Sequence, residues 1–188
     1  MIDKLITERL VLRPWAESDA ESLYEYAKDP QIGPMAGWPV HTSADNSREI
    51  IRDVLSAEGT YAVTIKGDDR AIGSIGLMIG ARSNLGLSEA EAEIGYWIAV
   101  TFWGKGYIPE AVRELMRYAF KELEINTLWC GYFDGNDKSK RVGEKCGFRF
   151  DRTEQKEWPL IGETKTQHIT RLTKDEWLGR NDIFTTEG

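Results

Sequence analysis

The chain has 188 residues, 41% hydrophobic and 29% charged, which suits one folded domain with a sizeable core and excludes a disordered chain. Its formal net charge of −7 argues against a partner held through nucleic-acid phosphates and mildly favours a cationic one. No apolar run approaches the roughly 20 residues that span a bilayer, and the opening MIDKLITERL lacks the charged-then-apolar pattern of an export signal. Cys130 and Cys146 are too few and too far apart for a metal knuckle or a disulfide framework, so a cytoplasmic protein with two buried free thiols is expected.

In chain order, ERLVLRPW sets Leu10 and Leu12 against Val11 and predicts a first strand. ESDAESLYEYAKD predicts a helix capped by Ser18, with Ala20, Leu23, Tyr24 and Ala27 at helical spacing. The Gly- and Pro-rich PQIGPMAGWPVH is a loop. It leads into a helix capped at Thr42 or Ser43 that turns Ile50, Ile51, Val54 and Leu55 inward. TYAVTIKGDDRAIGSIGLMIG is a hairpin turning at Gly67, Asp68 and Asp69, and AEAEIGYWIAV is a further strand. YIPEAVRELMRYAFKEL is the clearest helix, with Ile108, Ala111, Val112, Leu115, Ala119 and Phe120 on one stripe and Pro109 in its first turn. NTLWCGYF is a strand, DKSKRVGEKCG a short helix stopped by Gly147, and two more strands precede TKDEWL. Helices between some strands and hairpins between others imply a mixed sheet in α/β layers.

Between strand and helix lies TFWGKGYIPEA, which puts side-chain-free backbone where the first turn of a helix leaves N–H groups without partners. Glycine there lets an anion approach the amides. Two phosphate loops fail on spacing. A Walker loop needs a glycine at 99, which is alanine, and Ser or Thr at 106, which is glycine; a dinucleotide fingerprint needs a glycine at 109, which is proline.

The segments ERLVLRPW, GWPVHTSADNSREII, EIGYWIAVTFWGKGYIPEA and NDKSKRVGEKCGF, in that order, resemble the GNAT superfamily of N-acetyltransferases. Within it they are most similar to the RimJ/RimL-like enzymes. The resemblance covers residues 5–178 as one domain, with 179–188 left as a frayed tail. It implies an α/β (α+β) fold whose mixed, mostly antiparallel twisted sheet is flanked by helices. It implies acetyl-CoA as cosubstrate, no metal, and an amine acceptor; a homodimer is allowed for. The family loop, Arg/Gln-x-x-Gly-x-Gly/Ala, holds the pyrophosphate of acetyl-CoA through backbone amides, here those of Trp103, Gly104, Lys105, Gly106, Tyr107 and Ile108. Gly106 falls on the central glycine, whereas Trp103 replaces Arg or Gln and Ile108 replaces the terminal small residue. Backbone along Ile98, Ala99 and Val100 is expected to meet the pantetheine arm, as is Asn136, which on sequence alone is also an ordinary helix cap.

Acetyl transfer to an amine needs a base for the amine and a proton for the departing thiolate. Glu89, Glu91 and Glu93 share one strand parity, and Glu93 is the last acid before both faces turn apolar, where burial raises a carboxyl pKa. The family often places a glutamate at the matching position, so Glu93 is the expected base, with Glu91 the alternative. The tyrosine that many members place four residues before the Gly-Phe pair is Gly143 here. RimL-like enzymes carry a serine three residues after the asparagine, and Ser139 matches; water remains the alternative proton source. His41 and His168 are expected to be structural, and Trp38 to wall the acceptor site. The reading is an acetyl-CoA-dependent transferase acting on an α-amine of a protein N-terminus. The alternatives are a small-molecule amine as acceptor, or a CoA-binding module without turnover.

Overall fold

A computed structural model describes residues 1–184, with side chains through Arg180. Eight strands form one sheet: β1 (Leu5–Ile6), β2 (Leu10–Arg13), β3 (Thr60–Ile65), β4 (Asp68–Ile79), β5 (Glu91–Ile98), β6 (Thr127–Phe133), β7 (Arg149–Trp158) and β8 (Glu163–Thr173). Their order is β1-β2-β3-β4-β5-β6-β8-β7, and every adjacent pair is antiparallel except β5 with β6. The helices are α1 (Ala20–Ala27), α2 (Gly33–Ala36), α3 (Ala44–Ile50, continued by a π turn over Ile51–Leu55), α4 (Tyr107–Glu122), α5 (Asp137–Cys146) and α6 (Lys174–Phe184). The mixed, mostly antiparallel sheet flanked by helices is the architecture expected.

The period-two and helical stripes decide which residues go inside. Leu10 and Leu12 are fully buried, and the α4 stripe of Ile108, Ala111, Val112, Leu115, Ala119 and Phe120 packs on Leu77, Ile94 and Leu128 as the main core. On the opposite face Trp15, Leu23, Ala27 and Ile51 form a second cluster with Trp38 and Trp97 against it. Cys130 and Cys146 are free and buried, and burial pushes their thiols up to about 12 and about 11.

Several boundaries differ from the sequence reading. The α1 helix is preceded by a single 3-10 turn, Glu17–Asp19, and its cap position is Asp19 rather than Ser18. The carboxylate of Asp19 is held by the Arg13 guanidinium and by Ala16 N. Of the two caps expected for α3, the structure uses Ser43, which accepts from Asn46 N at 3.0 Å. Val54 is exposed, because the π turn rotates it off the inward face that Ile51 keeps. The hairpin turns at Lys66–Gly67, and Asp68 and Asp69 already belong to β4. The loop before His41 contains α2, and β1 precedes the first expected strand. Finally, α6 runs to Phe184 where a tail was expected from 179; residues 185–188 lie outside the described residues.

Candidate active site

The parallel pair is where the sheet comes apart. β5 and β6 are in register only at Glu91–Thr127, Ala92–Leu128 and Glu93–Trp129, although β5 continues to Ile98 and β6 to Phe133. Beyond Glu93 each strand keeps its other neighbour, β4 and β8 respectively, so the two diverge as a wedge inside an otherwise paired sheet. The wedge opens toward the loop that follows β5 and the first turn of α4.

That loop has the backbone the glycines suggested. Gly104 and Gly106 sit at φ 76° and 79°, in the left-handed region that side chains disfavour, and Gly106 is the residue from which α4 starts. A Cβ at Gly104 would meet nothing within 4 Å, and one at Gly106 only the tip of Arg9 at 3.5 Å. The cradle is therefore open on its outer side. It is also braced. Arg9 donates to the Lys105 carbonyl (3.0 Å) and to Glu110 Oε2 (2.6 Å), and lies over the Tyr107 ring at 4.7 Å. Glu110 Oε1 further accepts from Thr7 Oγ1 and Arg9 N. Burial pushes the Glu110 carboxyl up, but these hydrogen bonds outweigh it and hold the pKa below the usual range. Trp103, the departure from the family pattern, donates from Nε1 to Ile98 O (3.0 Å) and carries Lys138 over its ring at 3.8 Å, linking the loop to β5 and to the head of α5. Ala99 N is spent on Ile72 O and Trp103 N on Val100 O, so neither amide is open as expected, and Ile108 is buried in the core.

On the face shared with Trp97, Glu93 Oε2 accepts from Ser83 Oγ at 2.7 Å. Its pKa is raised: burial dominates, opposed by the Ser83 hydrogen bond and by Lys156, and assisted by the negative charge of Glu154. Glu91 behaves oppositely. Burial pushes it up, but hydrogen bonds from Ser88 N, Ser88 Oγ and Trp129 Nε1 more than compensate and lower it. Of the two, Glu93 is the better proton acceptor near neutrality, since its charged form is less stabilised. Trp38 meets Trp97 edge-on at 5.9 Å and His41 at 5.2 Å, and Trp158 stands edge-on to Phe133 at 4.9 Å. These rings line the Glu93 side. Trp158 Nε1 and Gln167 Oε1, both on this side of the sheet, are buried without hydrogen-bond partners.

The opposite face of the wedge holds Ser139. Asn136 caps α5, its Oδ1 accepting from Ser139 N at 3.2 Å, so the cap is real whatever else the residue contacts. The Tyr96 hydroxyl lies 3.1 Å from Ser139 Oγ. Glu93 and Ser139 thus approach the parted strands from opposite faces of β5. His41 is buried, Nδ1 against Ser47 Oγ (2.8 Å), and burial lowers its pKa; His168 sits between Thr153 and Asp134 on the α5 side. Sequence reasoning missed Arg9, Ser83, Tyr96 and Lys156. Only sheet register or chain crossing brings them here; the period-two alternation of β7 was the one available signal, and only for Lys156. Among the described residues, no group of three or more His, Cys, Asp and Glu side chains is placed to hold a metal, and no helix is long and apolar enough to cross a membrane.

A sheet parted at one parallel pair above a glycine-started helix is a fold with known relatives. The chain belongs to the GNAT acetyltransferases, since residues 9–149 match the model of the Acetyltransferase (GNAT) domain, and it is an N-acetyltransferase of that family. It is 33% identical to the uncharacterized N-acetyltransferase p20 of Bacillus licheniformis, over 95% of this chain and 100% of that protein. It is 34% identical to YdaF of Bacillus subtilis, provisionally named a ribosomal N-acetyltransferase, over 93% and 96%. In structure it is similar to a GNAT-family acetyltransferase from Bacillus anthracis, with a TM-score of 0.79 at 24% identity over 92% of this chain and 99% of that one.

Proposed function

We propose that this enzyme transfers acetyl from acetyl-CoA to the α-amine of a peptide or protein N-terminus. The observation that carries the reading is the wedge between β5 and β6, with a raised-pKa carboxylate on one face and a hydroxyl on the other. The residues present fit acetyl-CoA: the positive-φ glycines at the start of α4 leave open amides for a diphosphate, with the peptide dipoles of a 16-residue helix behind them. Asn136, at the head of α5, borders the arm of the cosubstrate.

In this reading Glu93 takes the proton that the amine loses as its nitrogen bonds to the thioester carbon. The C–S bond breaks, the thiolate charge is met by the Ser139 hydroxyl, and water returns a proton to sulfur. One carboxylate of modest basicity suits an acceptor that is already partly neutral. An α-amine, with a reference pKa near about 8, is easier to present neutral than a lysine near about 10.4, by about 3 kcal/mol. The aromatic wall of Trp38, Trp97 and Trp158 suits the first side chain of a peptide, and the likeness to YdaF points the same way. The fold and the family set the reaction class; the acceptor is the step proposed here. Intact-mass analysis of peptides with either the α-amine or the lysine ε-amine blocked tests it, alongside a panel of small amines. Acetyl should appear on the free α-amine. Transfer confined to the ε-amine, or to small amines alone, overturns the proposal.

A further inference from the structure

Tyr96 is used by nothing in the scheme above, and it is half-buried against the main core. It lies on β5 beyond Glu93, the last residue in register with β6, and its side chain takes the face opposite Glu93, beneath α5. There its hydroxyl meets three groups from two other elements: Ser139 Oγ at 3.1 Å, Ser139 O at 3.2 Å and Cys130 Sγ at 3.8 Å. The phenol therefore bridges the wedge, from β5 to β6 and to the first turn of α5.

The Cys130 thiol donates to the Tyr96 oxygen, and at its raised pKa it keeps that proton. Burial likewise holds the phenol well above its ordinary value, so it too stays protonated. Two hydroxyl arrangements then share the same heavy atoms. In one, Ser139 donates to Tyr96, and Tyr96 donates to the Ser139 carbonyl. In the other, Tyr96 donates to Ser139 Oγ, and the serine proton is turned outward. An anion beside Ser139 selects the second, because only there does it meet a donor. A serine that accepts one hydrogen bond while giving another is also the stronger donor.

We propose that Tyr96 is a positioning residue for the reaction: its hydroxyl, presented from β5, turns and strengthens the Ser139 hydroxyl toward the sulfur that leaves acetyl-CoA. This rests on the reading of Ser139 as the group beside that sulfur. No proton leaves Tyr96; it contributes a fixed dipole that needs no reorganisation as negative charge builds. At Gly143, the α5 position that carries no side chain, a Cβ would stand 3.8 Å from Phe148 Cβ and 3.9 Å from Thr170 Oγ1. The phenol that reaches Ser139 thus comes from the strand, not from the helix.

Steady-state kinetics of Tyr96→Phe, Ser139→Ala and the double variant, with acetyl-CoA and an N-terminal peptide, test the inference. Tyr96→Phe should lower kcat about tenfold with KM for acetyl-CoA within about twofold. The double variant should be no slower than Ser139→Ala, because a residue acting through Ser139 has nothing to act on without it. Losses that multiply, or a Tyr96→Phe effect confined to KM, overturn the inference while leaving Ser139 in place. An unchanged kcat in Ser139→Ala overturns the reading of Ser139 and the inference with it. Should Tyr96→Phe fail to fold, 3-fluorotyrosine at 96 keeps the shape and donates more strongly. It should raise kcat in the parent and not in Ser139→Ala, and no rise in the parent refutes the role.

Discussion

Replacing Gly106 by alanine separates the two things its backbone does. The position has φ 79°, where an L-residue is disfavoured by roughly 1–2 kcal/mol. A Cβ there meets only Arg9 Nη2 at 3.5 Å, ordinary contact, so no steric clash adds to the backbone strain. For a chain of this length that strain corresponds to a fall in Tm of about 2–8 °C. Gly104→Ala, with φ 76° and a Cβ that would meet nothing within 4 Å, calibrates the backbone strain in the ligand-free melts. Acetyl-CoA at about 100 times its Kd should add about 2.7 kcal/mol to the parent, a rise of about 5–11 °C. Thermal melts with and without acetyl-CoA, with calorimetric titration for affinity, read both quantities. Gly106→Ala should melt within the strain range alone yet lose most of the ligand-induced rise, because the left-handed backbone that presents the first amides of α4 is the one an L-residue resists. A variant with the predicted apo Tm and the full rise would refute the assignment of the diphosphate to this loop.

Glu93→Gln should lower kcat about a hundredfold near pH 7 with little change in acetyl-CoA affinity, and the deficit should shrink at high pH, where the acceptor is already neutral; an equal pH profile for variant and parent returns Glu93 to a structural role. Its raised pKa has a second consequence. The folded state binds the extra proton, so ionisation of Glu93 lowers stability as pH rises through its folded pKa. Glu93→Gln should therefore melt higher than the parent at neutral pH and no differently at low pH, where both states are protonated; thermal melts across pH read this. Glu110 has the opposite sign. Its lowered pKa gives stability that is present above the unfolded value and lost as pH falls through the folded one, so Glu110→Gln should melt about 3–6 °C lower at neutral pH and converge with the parent in acid. Trp38→Ala should raise KM for the acceptor about tenfold while leaving the acetyl-CoA shift in place; loss of the shift instead would move Trp38 out of the acceptor wall.

What the chain determined locally was set by interactions a few residues long. Gly147 ends α5 at φ 90°, Asn136 begins it, and Pro109 occupies the first turn of α4, where a missing N–H loses nothing. The α4 stripe went inside because helical spacing leaves it one apolar face. The loop at Gly104 and Gly106 was legible for the same reason, since left-handed backbone and an open helix start are properties of adjacent residues. The fine boundaries were not. Asp19 rather than Ser18 takes the cap position of α1 because a 3-10 turn over Glu17–Asp19 precedes the helix, while Arg13, from another element, holds the Asp19 carboxylate. The wedge was invisible for a stronger reason. Nothing in EIGYWIAV or TLWCGYF says that their pairing stops at Glu93 and Trp129, because register depends on how β4 and β8 hold each strand from its far side. The protonation chemistry of Glu93 and Glu91, two residues apart on one strand face, likewise diverges only in three dimensions. Trp129 and Ser88 stabilise one charge, while burial, with Glu154 nearby and against the Ser83 hydrogen bond, disfavours the other. For Tyr96, only the placement of α5 over β5 puts a serine against its hydroxyl. Residue types and short spacings thus made the family resemblance, the glycine-rich start of α4 and the candidate acids legible, because those are local; which of them share a cleft, and on which face, was decided by long-range strand pairing.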